Sequence, residues 1–564
     1  MSVLLVGAVV WVGVRAVLVK DELESMMELM GPVGEAADAR DVDRLEQLVG
    51  RVHTHSAHAQ SLTGDPVWRL AEAVPMLGPN MTAVRLVSHS LAEMSRTGQP
   101  LLELASATAS DSTVSSVKLL AQAREPLRDA ADAFTRADGD LRAVPGDDLI
   151  DQVTEGVTAI RSFTRAAVPL VTTLAQSADV LPRALGADQP RTILVMLQNS
   201  AELRTAGGVA GSFVLLRSDG GEITVVDQAD SSSFEGRSKP VIEASDPSGE
   251  LYGDVFERYV QNISMTPDFA LTGELASAWW EEYSGEAPDL VLSLDVPAVA
   301  ALLTSDPLVL ADGSELASED LVQKMLVDSY FELDRDAQTE FHRVVVGAAI
   351  SRALTQGADP ISWAERLMSP LRDGRISLWS PDPGEQAVIA GTEFGGPSSR
   401  LASAGDAAYA VWLNDATTGK MSSNLDVDIQ AGEVMCRSDG RAETSIAVTL
   451  TNTAPPTAAD WPWWVTGGGI EGVPPGHIAT DVTAAAPRTA FFGGVTVDGE
   501  IVPSVEAEDD TYAASRARIT VAPGESSAVE FRFIAEDAHA SSPTVLHTPL
   551  MRELVVSDYT PTCR

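Results

Sequence analysis

At 564 residues the chain is too long for one compact core, and its length points to three or four domains. Its 39 basic and 81 acidic residues leave a net charge of −42, which repels nucleic-acid backbones and excludes DNA or RNA as a natural partner. A hydrophobic fraction of 45%, with apolar positions in regular spacing, excludes a disordered chain.

The first element is an apolar run from Val3 to Val19, broken only by Arg15 and followed by the acids Asp21, Glu22 and Glu24. A helix of about 17 residues rising about 1.5 Å each reaches about 25 Å, near the lower limit for a membrane span. Arg15 lies within a turn of the end, where a guanidinium can snorkel to the interface. No small-x-small cleavage site follows, since the exit reads Arg15-Ala16-Val17-Leu18-Val19-Lys20. The expectation is an uncleaved transmembrane signal anchor over residues 1–20, single-pass, with the body extracellular. No Lys or Arg precedes the run to support that orientation, and a buried helix of a soluble bundle is the alternative.

Residues 21–187 read as a helical bundle or stalk. Val153, Val157, Ile160, Thr164, Ala167, Val171, Leu174, Ala178 and Leu181 alternate steps of four and three, the seam of a packed helix pair. Breaks are expected at Gly31-Pro32, Gly64-Asp65-Pro66, Gly78-Pro79, Gly98-Gln99-Pro100 and Pro145-Gly146. His53, His55 and His58 lack nearby cysteines or a His-Glu-x-x-His pattern and read as a solvated face.

Residues 188–425 alternate strand and helix patterns, which predicts an α/β/α layered domain. An apolar strand, Ile193 to Leu197, runs into the polar cluster Gln198, Asn199, Glu202 and Arg204, then into Gly207-Gly208-Val209-Ala210-Gly211. Thr266-Pro267-Asp268 caps a helix from Phe269 to Tyr283, Leu290 to Leu294 is a buried strand, and Arg375 to Trp379 and Ala408 to Asn414 are further strands. From residue 426 to 564 the period changes to two, as in Ser445 to Thr451, Ala517 to Val521 and Ala528 to Ile534, which predicts a β-sandwich. The fold class is thus multidomain α+β. Trp461, Trp463 and Trp464 crowd one turn region, where they either pack an interface or stack on a ligand. The only cysteines, Cys436 and Cys563, are too far apart in sequence for a zinc or redox motif; outside the cell they suit a disulfide.

The strand end at Asn199 is the candidate site. Arg204 beside the amides of Gly207, Gly208 and Gly211 suits a phosphate or pyrophosphate oxygen; alternatively Arg204 pairs with Glu202 or Asp227 and the glycines serve a tight turn. The glycine turn matches neither a P-loop nor a dinucleotide fingerprint. Glu202, Asp227, Asp230 and Asp295 stand near strand ends, where several carboxylates together can hold Mg²⁺. Asn414, Asp415 and Lys420, at another strand exit, either line a cleft with Arg204 or cap a turn. No serine elbow or Cys-His pair marks a nucleophile.

Gln198-Asn199, Ala201-Glu202-Leu203-Arg204, Gly207-Gly208, Asn262, Thr266-Pro267-Asp268-Phe269, Arg375 to Trp379, Leu413-Asn414-Asp415 and Lys420-Met421 together resemble the family called domain of unknown function 4012, over nearly the whole chain. That resemblance implies a membrane-anchored bacterial surface protein associated with envelope or exopolysaccharide production; usage rich in Ala, Val, Asp and Arg is reminiscent of high-GC actinobacteria. The anchor and the passage Phe269 to Leu303 are more distantly similar to the LytR-CpsA-Psr transferases, which move glycopolymers from polyprenyl-pyrophosphate carriers using arginines and Mg²⁺. Of those arginines only Arg204 falls at a comparable place, and the usual Arg-Asp pairing is absent. Two functions follow as expectations: binding of a lipid-linked glycan or cell-wall polymer through Arg204, or a non-catalytic scaffold.

Overall fold

The computed structural model describes residues 2–39, 41–75, 77–109, 116–144, 149–243, 248–355, 360–405, 407–435, 437–508, 511–535 and 543–562. It is a multidomain α+β protein that divides into two compact units, Met1–Asp188 and Gln189–Arg564.

The first unit is built from helices α1 (Ser2–Asp38), α2 (Val42–Thr63), α3 (Pro66–Ala71), α4 (Gly78–Ala109), α5 (Ser116–Arg142) and α6 (Asp151–Ala184). Asp41 accepts from the Arg44 amide to start α2, and Asp65 accepts from the Val67 amide to start α3, with Pro66 at the first helical position. Val19, Ala59, Trp68 and Met81 form one core cluster, and Met26, Leu29, Ala36, Leu48 and Val52 another. Of the seam expected in α6, Val157, Thr164 and Ala178 are buried. Asp179 pins α6 to α5 by accepting from Arg124 and Arg128 at 2.9 and 3.0 Å.

Two expectations for this unit need correction. Gly31-Pro32 and Gly98 to Pro100 do not break the chain; they lie inside α1 and α4. Proline removes one helical hydrogen bond, and burial of Leu29 and Ala36 on either side of Pro32 offsets that loss. Pro145-Gly146 lies outside the described residues. The transmembrane anchor is likewise overturned: among the described residues, no helix is long and apolar enough to cross a membrane. The side chains of residues 1–9 lie outside the described ones. Beyond them α1 runs without interruption through Lys20 and Asp21 as a member of the bundle, with Val19 buried in its core. Arg15 does not snorkel; it pairs with Asp65 at 3.2 Å and donates to the Leu62 carbonyl at 2.8 Å. The membrane partner and the single-pass placement with an extracellular body fall with that anchor.

The second unit holds a mixed sheet and a two-sheet sandwich. Strands β1 (Arg191–Asn199), β2 (Val209–Asp219), β3 (Glu222–Asp230), β4 (Leu290–Asp295) and, after a two-residue ladder of β5 (Leu308–Val309) and β6 (Glu315–Leu316), β7 (Ile376–Trp379) give the order β3-β2-β1-β4-β7. Strand β1 pairs antiparallel with β2 and parallel with β4, so the two central strands are buried along their length. The helix Phe269–Ser284, capped by Asp268, covers this sheet, and Gly273 sits so close to Trp379 that no larger residue fits.

The sandwich uses β8 (Ala408–Asp415), β9 (Leu425–Val434), β10 (Glu443–Asn452), β11 (Ile478–Pro487), β12 (Phe491–Val497), β13 (Glu500–Ile501), β14 (Val505–Glu508), β15 (Tyr512–Val521), β16 (Ser526–Ile534), β17 (Thr544–His547) and β18 (Ser557–Asp558). One sheet has the order β14-β15-β11-β8-β17 and the other β13-β12-β16-β10-β9-β18. Strand β8, read from the sequence with the α/β region, is therefore a sandwich strand. Its Trp412 lies edge-on to Tyr512 of β15, and a single core runs from Leu194 and Trp280 of the α/β layer to Ala485 and Tyr512 of the sandwich. Cys436 and Cys563, the expected disulfide pair, lie outside the described residues.

Candidate functional site

Every residue from Ser200 to Ala210 is buried, so the connection from β1 to β2 is not an open surface loop. A buried connection must satisfy its backbone polar groups inside the protein. It does so largely against the chain that follows β8. The Asp415 amide donates to the Leu203 carbonyl at 2.9 Å and the Ser422 amide to the Ala201 carbonyl at 3.1 Å. Asn414 accepts from the Thr205 amide through Oδ1 and donates to the Thr205 hydroxyl through Nδ2, both at 3.0 Å.

The charged groups meet on this seam. Glu202 Oε1 accepts from Arg204 Nη2 at 2.8 Å, and Glu202 Oε2 accepts from Lys420 Nζ at 2.7 Å. Arg204, 4% exposed, also donates from Nε and Nη2 to Asn262 Oδ1 at 3.1 and 2.8 Å and from Nη1 to the Leu203 carbonyl at 2.8 Å. Lys420 lies over the ring of Tyr330 at 5.8 Å, and the Tyr330 hydroxyl accepts from Asn199 Nδ2. Burial pushes the Glu202 carboxyl up, but the Lys420 and Arg204 cations outweigh it and leave the group below the usual carboxylate range. For Asp415, burial and the nearby Glu202 charge prevail, and its pKa rises to about 7. One Asp415 oxygen accepts from the Thr417 amide and hydroxyl, each at 2.7 Å.

The glycines do not form an anion nest. The Gly207 amide donates to the Arg204 carbonyl at 2.8 Å and the Gly208 amide to Gln198 Oε1 at 3.0 Å. Gly207 adopts φ of +129°, and a Cβ on Gly208 would stand 2.4 Å from the Asn199 carbonyl. Gly211 is the extra residue of a β-bulge, because the register jumps from Leu197↔Ser212 to Gln198↔Ala210.

The carboxylates expected to share Mg²⁺ are dispersed among other partners. Asp295 caps a helix through the Ala298 amide at 2.8 Å and pairs with Arg375 at 2.6 Å. Asp230 accepts from the Ser232 amide, and Asp227, exposed on edge strand β3, accepts from the Gln228 amide. Among the described residues, no group of three or more His, Cys, Asp or Glu is placed to hold a metal ion, so this donor set does not fit Mg²⁺.

Arg204, Glu202, Asn199, Asn414, Asp415 and Lys420 thus do come together, whereas Asp227 and the amides of Gly207 and Gly208 serve other bonds. Residue-by-residue reading for chemistry passed over Tyr330 and Asn262 as members of the set. Asn262 carried a signal through its place in the family motif, but Tyr330, at the end of a helical run, carried none. No curated protein and no solved structure matches the chain. The stretch that supplies Asn199, Glu202, Arg204, Asn262 and Tyr330 is where a relationship does emerge: residues 188–330 match the family described as "Protein of unknown function (DUF4012)".

Proposed function

We propose that the chain is a non-catalytic interaction protein, a scaffold whose second unit offers a rigid surface to a binding partner. The carrying observation is that the polar set is satisfied from within. Glu202 is held by two cations, and the Nε, Nη1 and Nη2 nitrogens of Arg204 all donate inside the protein. Opening such a buried, matched set leaves uncompensated charge, at a cost of about 3–5 kcal/mol. Its geometry suits a clamp that fixes the β1–β2 connection against the turn after β8.

The competing reading is a LytR-CpsA-Psr-like role in cell-envelope or exopolysaccharide assembly, with a polyprenyl-pyrophosphate-linked glycan held by Arg204 and Mg²⁺. It requires Arg204 to surrender Glu202 and Asn262 to phosphate oxygens. It also requires room for a lipid. One apolar cavity among the described residues, between Val195, Leu294, Val299 and Met325, measures about 10 Å³, enough for about one water and not for a lipid.

Cross-linking in the source cells followed by mass spectrometry tests the proposal, with a protein cross-linked reproducibly to the second unit as the expected result. Calorimetric titration with magnesium pyrophosphate should give no saturable heat. Saturable binding that disappears in Lys420→Met would overturn the interaction reading in favour of the glycan one.

A further inference from the structure

Next to the clamp the protein carries an exposed aromatic surface that the clamp does not use. Phe331 is 44% exposed and meets Trp461 edge-on at 5.1 Å; Trp463 is 49% exposed and stands 6.1 Å from Trp464. Large rings left half in water are worth explaining when they cluster, because their burial is strongly favourable. The segment that carries the tryptophans is also tied down. Trp464 Nε1 donates to the Tyr330 carbonyl at 2.9 Å, the Lys420 amide donates to the Val465 carbonyl at 2.6 Å, and Val465 and Thr466 beneath are buried. A platform fixed in this way loses little conformational freedom when something docks on it.

Charge selects the occupant. Exposed carboxylates adjoin the rings in sequence: Glu332 next to Phe331, Asp460 next to Trp461, and Asp334 and Asp336 on either side of Arg335. The whole chain carries −42, so anionic partners are repelled. Aromatic faces attract cations, and the protein already shows it here: the guanidinium of Arg335, itself exposed, lies 5.2 Å from the centre of the Trp463 ring.

We propose that this platform docks a basic segment of a partner protein, an Arg- or Lys-bearing peptide whose cation replaces Arg335 over Trp463 while its other charges face Glu332, Asp334, Asp336 and Asp460. The proposal rests on the reading of the chain as an interaction protein and names the partner's chemistry. Arg335 is then an internal placeholder that competes with the incoming cation.

Titration of the full chain with a nine-residue arginine peptide, followed by tryptophan fluorescence, tests this directly. Trp463→Ala, which leaves the net charge unchanged, is expected to weaken binding by about 5-fold. Arg335→Ala is expected to tighten it by roughly 3-fold relative to Arg343→Ala, which removes an equal charge from an exposed Arg343–Glu340 pair. Circular dichroism of each variant checks that the fold is kept. Equal affinities for wild type and Trp463→Ala would reduce the binding to general charge attraction and overturn the proposal. So would Trp463-dependent binding of a neutral glucan hexasaccharide with no Trp463 dependence for the peptide. Either result leaves the cross-linking test of the interaction reading untouched, so the two can fail separately.

Discussion

Burial and the neighbouring Glu202 charge hold the Asp415 carboxyl at about 7, against 3.8 for a free aspartate. A carboxyl whose folded value lies above its unfolded one binds its proton more tightly in the folded state. Its contribution to stability is therefore greatest below pH 4, falls as pH rises towards 7, and changes no further beyond. Glu202 runs the other way: its lowered carboxyl contributes above the unfolded value of 4.5, and that contribution is lost as pH falls. Asp415→Asn keeps an oxygen for the Thr417 amide and hydroxyl but has no proton to lose. It should be more stable than wild type at pH 8, by about 4 kcal/mol at most, and nearly equal to it at pH 4. Urea unfolding at the two pH values measures this difference, and parallel stability curves for the two proteins would refute it.

Among the elements, the helix Phe269–Ser284 depends on one small residue. A Cβ at Gly273 would come within 2.3 Å of the Trp379 side chain on β7, so Gly273→Ala must push the helix off the sheet or turn the indole. We expect a loss of about 1–3 kcal/mol in denaturant unfolding, and an unchanged midpoint would show that Trp379 has room to move. This helix and strand β4 were legible in the sequence because each is specified locally, by the Asp268 cap and by a short apolar run interrupted only by Ser293. The Gly207–Gly211 turn was legible as a turn and misleading as a nest. Glycines permit a tight path whether their amides face a ligand or, as here, Gln198 and the Arg204 carbonyl. Proline signals failed inside α1 and α4 for a related reason: tertiary packing outweighs the one lost bond.

At the scale of the whole molecule, two compact units meet at Asp188 and Gln189 in sequence. Calorimetry should then resolve two unfolding transitions, with Lys420→Met lowering only that of the second unit; one transition shared by both would contradict independent units. The second unit also shows where sequence reading ended. Its candidate residues, Lys420 among them, were found, and pairing of Arg204 with Glu202 was one of the alternatives, but pairing of Lys420 with Glu202 was not. Lys420 lies 218 positions from Glu202, and periodicity carries no record of so distant a contact. Strand β8 was assigned to the wrong neighbours for the same reason, since its pairing partner β11 comes some 70 residues later. Apolar length at the N-terminus likewise could not distinguish a bilayer from the bundle that buries Val19.

A double-mutant cycle joining Glu202→Gln and Lys420→Met, read by urea unfolding at pH 8, tests the clamp most directly. If the two groups hold each other, each single change costs about 2 kcal/mol or more, and the double variant loses less than their sum by about 1–3 kcal/mol. Single changes within about 0.5 kcal/mol of wild type, adding without coupling, would contradict a structural clamp and return these residues to the search for a ligand.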